Sequence, residues 1–407
     1  MRRLLGLALV AVTMLCSFAA RAEETEYDPA KVSDSLRAIF QFGSAQTKQA
    51  LNANTVTLIT GTIGGTYVQI GADLASVLDD GNKLRILPIV GRGSVQSVAD
   101  ILFLQGVDIG VVRADTLDYL ERKGFAKDIN KQLTYVTKLY NEEMQVIAPK
   151  SVRSLKDLEG KRVGVDLPNG STFVTVLTVF ERLGIKADFA YVEQRIAMEK
   201  MRRGENMDAV IVVGGKPYKS VSNFNNSDGR FHLVNVAYDK PLQGDYLPAS
   251  MNAKDYPNLI PEGETVDTIA VPSLLAAYNW APNTERYRKL CLFVDAFFTK
   301  FPEFQHAPFH PKWKEVSLSA PLKGWNRLPY AQQWLDKNNI QPLVRSRFDD
   351  FLKQTAAGKN VQSDADREAL FKQFQAWQAE QAAKEASTSN NARAQARPDR
   401  SDNKRDR

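Results

Sequence analysis

The sequence predicts an α/β protein of two facing lobes, with a helical region added towards its C-terminal end. Three observations carry this. Between Val56 and Asp115 one layout recurs three times: an apolar run, a turn of small or polar residues, then a helical pattern. The same layout resumes between Ser154 and Val236. A further strand at Thr265–Pro272 and a helix at Thr284–Lys300 then read as a return to the first unit, so that one lobe is built from two segments around an inserted second lobe. In open α/β sheets ligands collect at the carboxyl ends of strands. Two lobes that face each other at those ends enclose a cleft.

Taken in order, residues 1–22 read as a secretory signal. Arg2 and Arg3 form a basic start, Leu4–Ala20 is apolar, and Ala20-Arg21-Ala22 is a small-x-small cleavage site. Cys16, followed by Ser17, is a weaker case for a lipid anchor, because the better cleavage site lies further on. Residues 23–50 are a polar, weakly helical N-terminal extension. Val56–Thr60 then reads as a buried strand and Val68–Leu78 as an amphipathic helix. The loop between them, Gly61-Thr62-Ile63-Gly64-Gly65-Thr66-Tyr67, has glycines that let a ligand approach the main chain, and Thr66 is expected to cap the helix. A helix start of this kind favours an anion such as a carboxylate. The alternative is a tight turn with no ligand. The loop lacks both G-x-G-x-x-G and the Gly-Lys-Ser/Thr of a P-loop, so no nucleotide and no cofactor is expected.

The second strand, Lys83–Val90, ends at Gly91-Arg92-Gly93-Ser94 before a helix at Val95–Phe103. The third, Val107–Val112, ends at Arg113-Ala114-Asp115. Thr62, Gly64–Thr66, Ser94 and Asp115 should therefore share one sheet edge. Thr134–Pro149 reads as a pair of strands joined by a polar turn. The second unit follows: a short helix from Ser154, a Gly turn, a strand to Val165, a turn holding Asn169-Gly170-Ser171-Thr172, and a helix from Phe173 to Leu183. Phe189–Val192 is a strand, Arg195–Arg203 a helix, and Met207–Val213 a strand that ends in Gly214-Gly215-Lys216-Pro217. Phe231–Val236 closes the unit.

This order of motifs resembles the TAXI family, the solute-binding proteins of tripartite ATP-independent periplasmic (TRAP) transporters. Thr62–Tyr67 with Gly71 resembles its "GGTYY…G" opening, Gly93-Ser94-Val95 its "GGSVEN" turn, and Ala114-Asp115 its "QSD" turn. Leu139-Tyr140 fits "LY", Ser154–Val163 fits "SLxDLKGKRV", Gly170-Ser171-Thr172 fits "GSGT", and Asp208-Ala209 with Gly214–Pro217 fits "DAxFxxGGxP". The resemblance covers roughly residues 54–320. It implies a type II periplasmic-binding-protein-like fold, a small anionic solute such as an amino acid or carboxylate in the cleft, TRAP membrane permease subunits as partners, a periplasmic location and a monomer. The implied ligand-binding residues are Thr62, Gly64, Gly65, Thr66, Tyr67, Ser94, Asp115, Tyr140, Gly170, Ser171, Thr172, Gly214 and Gly215. There are departures: Ser97 stands in place of Asn, Asn169-Gly170-Ser171 in place of Gly-Ser-Gly, and Arg92 and Arg113 where small or amide residues are common. Either arginine is a candidate cation for a carboxylate. The alternative is a solvated or internally paired charge. Tyr67 and Tyr140 either wall the ligand or belong to the core.

The resulting organisation is a signal at 1–22, an extension at 23–50, a first lobe of 51–146 plus 267–325, a second lobe of 147–266, a helical extension at 326–384 and a disordered tail at 385–407. The tail has no apolar pattern. The net charge of +6 is modest and its basic residues are dispersed until the C-terminal end, which gives no case for a nucleic-acid groove. Without Cys16, Cys291 is the remaining thiol, which excludes an internal disulfide and reads as a core residue. His232, His306 and His310 have no metal-ligand spacing, and Pro308 keeps the last two off a common helix face. Two rival readings stand beside solute transport. An enzyme in the same cleft has no G-x-S-x-G elbow, metal set or Ser/His/Asp arrangement behind it. A ligand-sensing or structural envelope protein is suggested by the C-terminal addition and the altered cleft motifs.

Overall fold

The computed structural model describes residues 52–81 and 83–338. All the named elements lie in the compact unit that begins at Asn54. The expected signal, N-terminal extension, tail and most of the helical extension lie outside the described residues.

Strand β1 (Thr55–Ile59) is followed by helix α1 (Thr66–Leu78), β2 (Arg85–Ile89), α2 (Ser94–Phe103), β3 (Ile109–Arg113) and α3 (Asp115–Arg122). A short helix, α4 (Ile129–Gln132), leads into β4 (Leu133–Pro149). The second series is β5 (Arg162–Gly164), α5 (Ser171–Leu183), β6 (Asp188–Ala190), α6 (Gln194–Arg203), β7 (Ala209–Gly214), α7 (Lys219–Ser222) and β8 (Phe231–Leu233). Then come β9 (Leu247–Asn252), β10 (Thr265–Tyr278), α8 (Glu285–Lys300) and α9 (Pro329–Lys337).

The sheet runs β2-β1-β3-β10-β4-β7-β5-β6, with β8 on β4 and β9 on β10. Each end of it is a parallel trio: β1 pairs with β2 and β3, and β5 with β6 and β7. Between the trios run the antiparallel strands β10 and β4. The two-lobed α/β, type II periplasmic-binding-like fold expected from the sequence is the fold found. The expected pair of strands at 134–149 is instead one 17-residue strand. Glu143 sits where β4 changes partner, facing Ala270 on one side and Gly214 on the other. Asn141-Glu142-Glu143 resembles a turn because it is polar. Both glutamates are buried and neutralised by cations from other segments, so the strand continues through them.

Each lobe has apolar packing on both faces of its sheet. In the first, Val56, Leu58 and Ile86 pack with Ile70 and Leu74 of α1 and Phe293 and Phe297 of α8. Ile59 and Val112 pack on the opposite side with Val98 and Ile101 of α2. In the second, Val163 and Ile211 face Val176, Val179 and Phe180 of α5. Val210 and Val212 face Ala197, Met198 and Met201 of α6. These strands are apolar on both faces because helices cover both.

The segment after α8 belongs to the first core. Trp313 is fully buried, with its ring 5.8 Å from Phe297 and 4.4 Å from Phe304. Its indole N–H donates to Asp73 of α1 at 2.7 Å, and the His310 main-chain N–H donates to the same carboxylate oxygen at 3.1 Å. Cys291, the one described thiol, is only partly buried and packs against the same core.

Candidate functional site

The loop after β1 brings Thr62, Gly65, Thr66 and Tyr67 to the seam between the lobes. They line a cavity of about 30 Å³ together with Arg92, Arg113, Ser171, Thr172 and Gly214. That is room for one or two water molecules. Gly61, Glu142, Asp166, Gln194, Val213 and Tyr218 complete the lining, and the sequence reading singled out none of these as site residues. Gly64, with φ +85°, turns outward into a neighbouring groove.

The starts of three helices converge here. Thr66 and Tyr67 open α1, Ser94 opens α2, and Ser171 and Thr172 open α5. The lobes meet through these groups. Ser94 donates to the Ser171 hydroxyl through its main-chain N–H at 3.0 Å and its own hydroxyl at 2.9 Å. The Ser94 hydroxyl accepts the Arg113 main-chain N–H at 3.2 Å. The Gln96 N–H donates to the Asn169 carbonyl at 3.3 Å. Gly93 is required at the seam, because a Cβ there would lie 2.2 Å from Ser171 Oγ and its φ is +87°. A Cβ on Gly170 would lie 3.3 Å from the Arg92 carbonyl oxygen.

Thr66 does not cap its helix. Gly65 occupies the cap position without a side-chain bond, and the Thr66 hydroxyl donates across the seam to the Gly215 carbonyl at 3.2 Å. Thr172 is also engaged: its hydroxyl accepts the Val213 N–H at 3.2 Å and so ties α5 to the end of β7. A Cβ on Gly215 would crowd Tyr140 at 3.0 Å and Lys312 at 3.1 Å.

Arg113 is buried and paired inside the protein. Its Nε donates to Glu142 Oε2 at 2.8 Å, and a terminal nitrogen lies 2.7 Å from the same oxygen. Its other donors reach the Thr175 hydroxyl at 3.2 Å and the Val213 carbonyl. Burial is the largest single influence and opposes its charge, but Glu142, Tyr67 and Asp115 together outweigh burial and raise its pKa. Of the two states left open for Arg113, the internal pair is the one observed, and it is buried rather than at the surface. Arg92 is exposed at the rim, and its side chain has no partner among the described residues.

Asp115 lies deeper, where it accepts the hydroxyls of Thr175 at 2.8 Å and Tyr246 at 3.3 Å. Burial raises its pKa. Tyr67 and Tyr140 are buried, and burial followed by the Glu142 charge raises both phenols well above their ordinary range. Their hydroxyls, Glu142 Oε1 and Asp115 Oδ1 are buried without a partner. Asp166, at φ 67°, accepts from Gln194 at 2.9 Å. Glu142 could have been found from the sequence by one signal, the lack of any Gly or Pro in the supposed turn.

Outside the cavity, α3 and α5 are tied by Lys123–Glu181 at 3.0 Å, Arg122–Glu181 at 3.6 Å and Arg182–Asp118 at 3.7 Å. Among the described residues no group of three or more His, Cys, Asp or Glu could hold a metal ion. Among the same residues no helix is long and apolar enough to cross a membrane.

Comparison with known proteins gives one family. The profile described as the NMT1-like family matches residues 58–325. Among solved structures, the periplasmic binding protein BugD is 12% identical, with 70% of this chain and 94% of that one covered and a TM-score of 0.44. A protein of Bordetella bronchiseptica RB50 is 14% identical over 71% and 99% of the two chains, with a TM-score of 0.43. The effector-binding domain of QuiR in complex with shikimate is 12% identical over 60% and 93%, with a TM-score of 0.36.

Proposed function

The chain belongs to the NMT1-like family, and on that premise we propose that it is a solute-binding protein that takes a small anionic solute between its lobes. An amino acid or other carboxylate is the expected class. The observation that supports this is the convergence of helix starts: residues that open α1 and α5 line one cavity, and Ser94 at the start of α2 is bonded to Ser171. Two positive dipole ends at one cavity, with the start of α2 beside them, favour an anion there. The cavity admits only water as it stands, so capture requires the lobes to part. The Ser94–Ser171 and Thr66–Gly215 bonds are then exchanged for bonds from the main chain of Gly65–Tyr67 and Ser171–Thr172 to the solute. Closure afterwards is the hinge motion common to two-lobed binders. The reading is of a binder rather than an enzyme.

The proposal extends to export by residues 1–22 into the periplasm, action as a monomer and delivery to TRAP-type permease subunits, on the strength of the motif order. A second reading, a ligand-sensing or structural envelope protein without transport, is favoured by the seam, whose bonds are made by the protein's own groups. The test is native mass spectrometry of the mature chain, followed by thermal unfolding with a panel of amino acids and carboxylates. A true solute raises stability with concentration, by about 2.7 kcal/mol at a hundred times its Kd. Ser171→Ala should weaken that ligand at least several-fold. A panel in which nothing shifts unfolding would sink the solute reading. Binding without association with a permease would favour the second.

A further inference from the structure

Beside the seam lies a larger groove of about 540 Å³, bounded by α6, α7 and the Thr62–Gly64 loop. It touches the seam cavity at Thr62, Asp166, Gln194 and Tyr218, but its walls are otherwise its own. Its size is that of a small-molecule site, whereas the seam cavity is not.

The floor is apolar: Met198 and Phe224 are buried beneath it, and Ile63 stands 86% exposed at its edge. Around it are three cations, Arg195 and Arg202 on α6 and Lys219 on α7. Positions 195, 198 and 202 follow helical spacing, so Met198 lies between the two arginines on one face. Three acids also line the groove, and each is engaged. Glu193 accepts the main-chain N–H groups of Arg195 and Ile196, both at 3.2 Å. Glu199 is paired with Arg203 at 3.1 Å. Asp166 accepts from Gln194, and burial raises its pKa. The side chains of Arg195, Arg202 and Lys219 have no partner among the described residues. The Ser220 hydroxyl, also in the lining, is buried without a partner. The lining groups without a partner among the described residues thus include three cations, the Ser220 hydroxyl and the Asn223 side-chain amide, beside an apolar floor.

We propose that this groove is a second binding site, for an organic acid with a hydrocarbon body. The carboxylate would meet Arg195, Arg202 and Lys219, and the hydrocarbon would cover Met198 and Phe224. Arg recognises carboxylate with two parallel donors. Binding here needs no parting of the lobes, so the inference stands whether or not the seam takes a solute.

The test is calorimetric titration of the full chain with octanoate, with octylamine as a control of the same length and opposite charge. Octanoate should bind and octylamine should not. The variant R195Q/R202Q/K219Q should weaken octanoate at least tenfold with an unchanged melting temperature, while S171A stays within twofold of the parent. Failure of octanoate to bind, or equal binding by the triple variant, overturns the proposal. So does a loss in S171A equal to that in the triple variant, which would place the acid in the seam and leave the solute-binding reading intact.

Discussion

Replacing Arg113 with methionine tests whether the buried ion pair is structural. Arg113 and Glu142 are each 1% exposed, and the guanidinium makes two contacts to one carboxylate oxygen, at 2.8 and 2.7 Å. The other carboxylate oxygen has no partner already. Methionine fills part of the space but leaves Glu142 buried without its cation. Breaking one side of a buried pair costs about 3–5 kcal/mol. Glu142 escapes that cost by taking a proton, which makes the loss depend on pH. A carboxyl whose folded pKa rises above its unfolded value of about 4.3 destabilises progressively as pH climbs through that range. The Arg113→Met protein should therefore fall furthest below the parent at neutral pH and approach it near pH 4. The double variant Arg113→Met/Glu142→Leu should lose less than either single change, because no charge is then stranded. Urea unfolding followed by tryptophan fluorescence at several pH values measures all of this. A loss under about 1 kcal/mol for Arg113→Met at pH 7, or a double variant at least as damaged as the sum of the singles, would refute the argument.

Two further predictions follow from the packing of the first lobe. Burial lowers the His310 pKa to about 4, and its ring Nδ1 accepts the Lys312 N–H at 3.1 Å, which only a neutral ring can do. The unfolded chain therefore binds the proton first, so stability falls as pH drops below about 6.5, with about 2.5 kcal/mol gone by pH 4.5. His310→Asn, compared by urea titration at pH 7.5 and 4.5, should lose less than the parent; equal losses would show that His310 does not set this slope. Gly71 on α1 has Thr60 Cγ2 2.8 Å from where a Cβ would stand and Pro88 Cβ at 3.2 Å. Gly71→Ala should cost about 1–3 kcal/mol by overpacking despite its better helix propensity, and a raised melting temperature in calorimetry would contradict the close helix–sheet contact.

Much of the fold could be read from the chain because its strands and helices carry their periodicity locally. The Val56–Thr60 run and the helix after Gly65 are visible within twenty residues of each other, and so are their counterparts around Val163 and Ser171. The site was legible to the extent that it is made of turns at strand ends. Thr66, Ser94 and Ser171 stand at helix starts that local sequence announces. What was not legible depends on distant partners. Glu142 looks like a turn residue until Arg113, 29 positions away, is known to cover it, and Glu143 is answered by Lys312, 169 positions on. Thr66 has the composition of a cap, yet its hydroxyl is claimed by Gly215, 149 positions later. Trp313 falls in a stretch with no regular pattern, and only the packing of Phe297 and Phe304 around it makes it a core residue.

The long strand β10 also sets a timetable for synthesis. The edge of β3 is covered only when Ser273–Ala277 pair with Ile109–Arg113. The same strand covers β4 from Leu133 to Glu143. At about 5–20 residues per second, a ribosome needs on the order of ten to thirty seconds to pass from β3 to its partner. Throughout that interval β3 presents an unpaired edge, the feature that invites pairing with another chain. A nascent chain halted before residue 273 therefore carries a first lobe that cannot close its sheet, however complete its early helices are.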